Sequence, residues 1–357
     1  MKDKIISISF ITFLFVIFLL NITRKDEEIS TTERRKLQQL PELTVENVID
    51  TSFQEDFDKY ALDQFIFRDA LRSIKANVNY NIFKKLENNG IYVIDDYIFK
   101  SEYPTNIKSI DNFIDKINGI GTHLTKENKV YYMIIPDKNY YSNNKKYLNI
   151  DYDLLYEKIK DINYQYIEVR DILSLHDYYK TDTHWKQENL NGVVNRLGSA
   201  MGFEINTTYE ENTYSPFYGV YYGQAALNGK GDELNYLTND TVNYSRVNYY
   251  ENKKENSVYP LDNLENLDKY DIFLDGASSF VEIENPKNKS GRKLVIFRDS
   301  FGSSLAPLLI DAYSKITLID TRYITSDIYL DMIEFTNQDI LFLYSTLIVN
   351  NSNSLKE

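Results

Sequence analysis

Four short apolar runs constrain this chain more than anything else in it. KVYYMIIP (129–136), KLVIF (293–297), ITLID (316–320) and ILFLYS (340–345) are each bounded by polar residues, and helical stretches separate the last three. A compact β-rich run of this kind reads as a buried strand. Buried strands alternating with helices predict an α/β fold, a parallel sheet with helices on both faces. Two further strands are expected at QYIEVR (165–170) and IFLDG (272–276). Apolar residues at three-to-four spacing predict helix over 53–86, 107–119, 151–162 and 187–201, and alternation predicts a hairpin over 90–100. Residues 203–270, rich in Asn, Tyr and Gly, are expected to form an irregular insert with some β-structure.

At 357 residues the chain suffices for one large domain or two modest ones, and with 43% hydrophobic and 26% charged residues it is globular. The formal charge of −13 argues against nucleic-acid binding, which needs clustered Lys and Arg, and against a polybasic dock on anionic lipid. There is no cysteine, hence no disulfide framework or thiolate metal site, and three scattered histidines argue against any metal centre. Most of the 31 tyrosines reflect a bias of composition; some would suit carbohydrate contact.

Residues 5–22, IISISFITFLFVIFLLNI, carry no charge. As a helix they would extend about 27 Å, close to the roughly 30 Å hydrocarbon core. No small-residue cleavage pattern follows Leu20, so an uncleaved transmembrane anchor is expected. Lys2 and Lys4 favour a cytoplasmic tail at 1–4, weakly opposed by Arg24 and Lys25. The expected order is then a polar stalk over 23–50 and an extracytoplasmic domain over 51–350.

Two stretches carry candidate chemistry. In KLVIFRDSFGSSLAPLLIDAY (293–313) a strand ends, a turn follows, and a helix begins near Ser303. Ligands of open α/β sheets bind at such strand ends. Ser300 there has its own N–H near a positive helix end, suited to an oxyanion, but its hydroxyl needs a base. In YYKTDTHWKQENLNG (178–192), His184 has the proton affinity of a general base, and Asp182 is placed to orient the ring and stabilise the imidazolium. On patterning alone, Ser300 as an ordinary helix cap and His184 as a packed residue beside Trp185 remain open.

TDTHW (181–185) and RDSFG (298–302) together resemble the SGNH-like extracytoplasmic proteins of alginate O-acetylation and the related DHHW protein family. ALDQFIFRDALRSIKA (61–76), IIPDKNYY (134–141), FYGVYYG (217–223), DTRY (320–323) and ILFLYS extend the resemblance over about residues 37–350. It implies an SGNH-hydrolase-like sheet and an Asp182–His184–Ser300 triad. The implied activity is O-acetylation of an exported or cell-wall polysaccharide, with a multi-span membrane protein as acyl donor and no cofactor. A carbohydrate acetyl-esterase and a non-catalytic glycan-binding or assembly protein are the alternatives. The chain departs from the DHHW pattern at Thr183, which leaves His184 as the base. The order Asp, His, Ser also differs from that of ordinary GDSL hydrolases, so their oxyanion residues do not transfer.

Other candidates flank these positions. Asn139 could donate to an oxyanion or cap a turn, and Lys138 ends the same strand. Arg322 and Tyr323 could line the site, or Arg322 could pair with Asp320. Trp185 could stack on a sugar or wedge the His184 loop, and Tyr178 and Tyr179 are undecided. Asp299 is expected to orient the Ser300 turn and Gly302 to admit a close backbone approach. His123 and His176 are expected to be structural.

Overall fold

The apolar runs assemble into one sheet. In a computed structural model of the chain, which describes residues 2–142, 146–227, 229–251 and 255–356, eight strands pair among the described residues. They are β1 (Lys129–Ile135), β2 (Gln165–Tyr166), β3 (Arg246–Tyr249), β4 (Glu255–Asn256), β5 (Phe280–Glu284), β6 (Lys293–Arg298), β7 (Lys315–Ile319) and β8 (Asp339–Ser345). Their order is β4-β3-β5-β7-β6-β8-β1-β2. The five strands from β7 to β2 run parallel, whereas β5, β3 and β4 join by antiparallel pairing.

Side chains of the parallel strands alternate between two cores, as strand geometry requires. Met133, Leu294, Ile296, Leu341 and Leu343 pack on one face with Leu190, Val193 and Leu197 and with Leu305 and Leu308. Ile134, Val295, Phe297, Ile340 and Phe342 pack on the other with Ile110, Phe113 and Ile117 of helix Ile107–Ile120 and with Leu155. Both faces are therefore covered by helices, which explains why these strands read as continuous apolar runs.

Register aligns the strand ends. Phe297 of β6 pairs with Ile319 of β7 and Phe342 of β8, and Ser345 pairs with Ile135 of β1. The turns that follow β1, β6, β7 and β8 thus emerge along one edge. Each of the first three carries a buried aspartate in its first two residues, namely Asp137, Asp299 and Asp320. Asp299 shows what these carboxylates do: Oδ1 accepts from Phe301 N–H at 3.0 Å and Oδ2 from Ser345 N–H at 2.7 Å. One side chain therefore ties the Ser300 turn to the end of β8, as expected of it.

IFLDG is not a strand. Ile272 ends a 3₁₀ turn, Leu274, Asp275 and Gly276 have positive φ, and the sheet is entered only at Phe280. The apolar run is buried in a turn; burial alone does not separate the two cases. The region 203–270 is more ordered than expected, with a hairpin of Glu210–Phe217 and Asp232–Thr238 and with β3 and β4 in the main sheet.

The chain divides into two compact units, 1–89 with 222–229, and 90–221 with 230–357. The sheet belongs to the second. The first contains α1 (Lys2–Thr23), long and apolar enough to cross a membrane, with none of its residues buried. It also contains the helices Ser52–Asp63 and Arg68–Asn77, so the helical stretch expected over 53–86 is broken at 64–67.

Candidate active site

Two segments far apart in sequence meet at the C-terminal edge of β6. His184 Nε2 lies 2.7 Å from Ser300 Oγ, and His184 Nδ1 lies 2.6 Å from Asp182 Oδ1. A carboxylate only accepts, so Nδ1 carries the proton toward Asp182 and Nε2 is free to accept from the serine hydroxyl. Asp182, His184 and Ser300 thus form one continuous hydrogen-bonded chain.

Asp182 is almost wholly buried. Burial opposes its ionisation, yet the His184 ring and the N–H groups of Val220 and His184, which donate to it at 2.9 and 3.1 Å, hold its carboxyl well below the usual range. The approach of Val220 depends on Gly219. A Cβ at Gly219 would lie 2.3 Å from Asp182 Cβ and 2.5 Å from its backbone N. The FYGVYYG stretch therefore supplies the backbone that holds the aspartate.

The loop carrying Asp182 and His184 is fastened from several sides. Tyr178 and Trp185 form an antiparallel bridge, and Tyr179 N–H donates to the His184 carbonyl. Asp232 accepts from the N–H groups of Lys180 and Thr181 and from the Thr181 hydroxyl. Lys138 at the end of β1 donates from Nζ to the carbonyls of Tyr179, Lys180 and Asp182 at 3.1, 3.1 and 2.7 Å. Burial brings its ammonium down to about 7, against the upward pull of Asp182, Asp232 and Asp137. Its three hydrogens are all directed at this loop, so Lys138 positions Asp182 and is not available to a substrate. The next residue is similarly engaged: Asn139 is buried and its Nδ2 donates to the Lys100 carbonyl at 2.6 Å.

The imidazole is held by stacking. The Tyr270 ring lies 3.8 Å from it at an interplanar angle of 6°. The Tyr270 hydroxyl donates to Ser304 Oγ, which also accepts from Trp185 Nε1 at 2.9 Å. Trp185 is fully buried, with its ring edge-on to Phe301 in the core beneath the His184 loop. Gln187 adds a second tie to the same helix, donating to the Ser304 carbonyl at 2.7 Å. Tyr178 and Tyr179 are buried in the same core.

The Ser300 turn presents its backbone as expected of a strand-to-helix junction. Helix Phe301–Leu305 begins immediately after the serine. Phe301 and Gly302 N–H donate to Asp299 and Ser303 N–H donates to the Ser300 carbonyl. The Ser300 N–H makes no hydrogen bond among the described residues and is the turn's open donor. Gly302 is closely packed: a Cβ there would lie 2.7 Å from Arg298 Cβ. Arg298 is fully buried and donates to Asp320 and to the Ser278 carbonyl. The Arg322 side chain makes two bonds to the same Asp320 at 2.9 and 2.6 Å, so one carboxylate serves both guanidiniums, while Tyr323 is exposed. Among the described residues no group of three or more His, Asp or Glu side chains is placed to hold a metal ion.

Tyr270, Asp232 and Gln187 carried no motif in the sequence; their roles come from tertiary packing alone.

No family model matches the sequence, and no curated protein matches it. Solved structures do. A DHHW family protein from Eubacterium siraeum superposes with a TM-score of 0.61 at 22% identity over 76% of this chain and 97% of the other. Bacillus cereus PatB1 superposes with a TM-score of 0.57 at 14% identity over 76% and 98%. A second PatB1 structure, carrying a sulfonyl adduct, gives 0.59 at 15% over 72% and 97%. The SGNH-like α/β fold expected from the paired TDTHW and RDSFG stretches is thus the fold of this chain, shared with the DHHW family protein and with PatB1.

Proposed function

We propose that this protein is a serine O-acyltransferase, anchored by α1 with its second unit outside the cell membrane, that acetylates a polysaccharide. The observation that carries this reading is the unbroken chain from Asp182 through His184 to Ser300. Ser300 Oγ attacks the acyl carbonyl of the donor while His184 Nε2 takes its proton, and Asp182 stabilises the imidazolium that forms. The Ser300 N–H, at the start of a helix, faces the negative charge of the tetrahedral intermediate. Collapse breaks the bond to the donor's leaving group, which takes the proton from His184, and leaves an acyl-serine. His184 then takes the proton of an acceptor hydroxyl, the acceptor attacks the ester, and Ser300 leaves reprotonated. A sugar hydroxyl as acceptor gives an acetylated polysaccharide, and water gives an esterase; the same groups serve both. A multi-span membrane protein would supply the acyl group.

The test is turnover of an activated acetyl ester by the full chain in detergent, with and without polysaccharide acceptor. The proposal expects hydrolysis that Ser300→Ala abolishes, and acetylated polysaccharide when acceptor is added. Hydrolysis without transfer to any acceptor would favour the esterase. A wild-type protein with no ester turnover would favour a non-catalytic glycan-binding or assembly role.

A further inference from the structure

The stretch DQFIFRD (63–69) turns Phe65 and Phe67 outward. Helix Ser52–Asp63 ends at the first residue of this stretch and helix Arg68–Asn77 starts within it, with Phe67 between them at φ 59°. A bulky residue in the left-handed region is uncommon and persists where its surroundings hold it there. Yet Phe67 is 64% exposed, beside Leu62 at 72% and Phe65 at 39%. Packing within the unit therefore accounts for neither the aromatic rings nor the conformation. Large apolar groups clustered on a surface mark an interaction site.

Hydrogen bonds say where this surface lies along α1. Ile66 N–H donates to Asn21 Oδ1 at 2.9 Å, and Asn21 Nδ2 donates in turn to the Ile17 carbonyl. Gln64 both accepts from Glu27 N–H and donates to the Glu27 carbonyl, and the Tyr60 hydroxyl donates to Asp26. Residues 60–66 are thus tied to residues 21–27, the stretch in which the apolar helix ends. Asn21 precedes that end by two residues, a rise of about 3 Å. With α1 across a membrane, the loop sits at the depth of its last turn, where aromatic side chains favour the boundary between headgroups and acyl chains.

We propose that Leu62, Phe65 and Phe67 insert into the interfacial layer of the bilayer that α1 crosses, fixing the first unit against the lipid surface. The proposal rests on α1 spanning the membrane. The attachment is hydrophobic: residues 24–28 carry two positive and three negative charges, and Arg68 and Arg35 are engaged by Glu33 and Asp63. It should not weaken with salt, unlike a polybasic contact.

The chain has no cysteine, so single cysteines accept a fluorescent label cleanly. The test uses full-length Phe65→Cys, Phe67→Cys, Val16→Cys and Leu261→Cys variants, each labelled and reconstituted in phosphatidylcholine vesicles with nitroxides placed shallow or deep on the acyl chain. Leu261, exposed in the second unit, is the aqueous control, and Val16 reports on α1. The expected result is loss of emission at 65 and 67 with shallow nitroxide, a blue shift unaffected by salt, and emission at 261 quenched by aqueous iodide alone. Should the Val16 label be quenched by deep nitroxide while 65 and 67 behave like 261, the loop faces water and the proposal is overturned with the anchor intact. Shielding of 65 and 67 from iodide without lipid quenching would mean a protein cover, a partner or a second copy, and would also overturn it. A Val16 label untouched by lipid nitroxide would refute the anchor and the proposal with it.

Discussion

The two units solve the problem of apolar surface in opposite ways. The second buries it on both faces of its sheet, with Phe297, Phe342, Leu341 and Leu343 wholly inaccessible. Among the described residues of the first, the buried apolar side chains are Leu37, Ala76 and Ala225, while Val45, Ile49, Leu62, Phe67 and Ile82 stay exposed beside an uncovered α1. The second unit therefore carries its own stabilisation and can hold a buried charge such as Asp182 in place. The first leaves much of its apolar surface uncovered. Under the proposed function, chemistry belongs to the unit with the larger core and membrane attachment to the other.

The sharpest way to break this division is inside the hydrogen-bonded chain. His184→Ala should lower ester turnover on the order of 10⁴-fold or more, because it removes the base, and should also cost about 1–3 kcal/mol in thermal unfolding, because buried Asp182 loses its partner and the Tyr270 ring its stack. Phe342→Ala tests the core: the ring stacks on Phe297 at 5.0 Å, and its loss should cost about 3–5 kcal/mol in chemical denaturation of the second unit. Gly219→Ala drives a methyl into Asp182 and should cost about 1–3 kcal/mol by overpacking, with kcat falling more than KM rises.

The next effect is seen against pH. Lys138 is brought down to about 7 from an ordinary 10.5, so between those values the unfolded chain binds the additional proton. Stability should therefore rise with pH across that window: the cost of burying the charge is fully present below about 7 and is gone above the unfolded value. Lys138→Met should flatten that rise in urea midpoints measured from pH 6 to 10, and should lower kcat by freeing three carbonyls of the Asp182 loop. The smallest effect belongs to the first unit. Phe67→Ala in detergent should change unfolding by no more than about 0.5 kcal/mol, as for an exposed side chain, and leave ester turnover alone.

What the sequence made legible follows the same physics. The buried parallel strands announced themselves, because apolar runs at 129–136, 293–297, 316–320 and 340–345 have few other uses. IFLDG misled because a buried turn is as apolar as a buried strand. His184 was visible as one of three histidines, beside the only tryptophan, and Asp182 and Ser300 by their place in turns, but not Lys138: a lysine at a strand end looks like a substrate contact until its three acceptors are seen. Tyr270 and Asp232 were illegible, since nothing in a Tyr- and Asn-rich stretch singles out the ring that stacks on an imidazole.

The central claim is that Ser300 is an activated nucleophile, and covalent labelling tests it most directly. The full chain is treated with a sulfonyl fluoride and its peptides are analysed by mass spectrometry. The account predicts a single adduct on Ser300, absent in Ser300→Ala and strongly slowed in His184→Ala. An intact Ser300 after exhaustive treatment, or labelling at the same rate without His184, would contradict it.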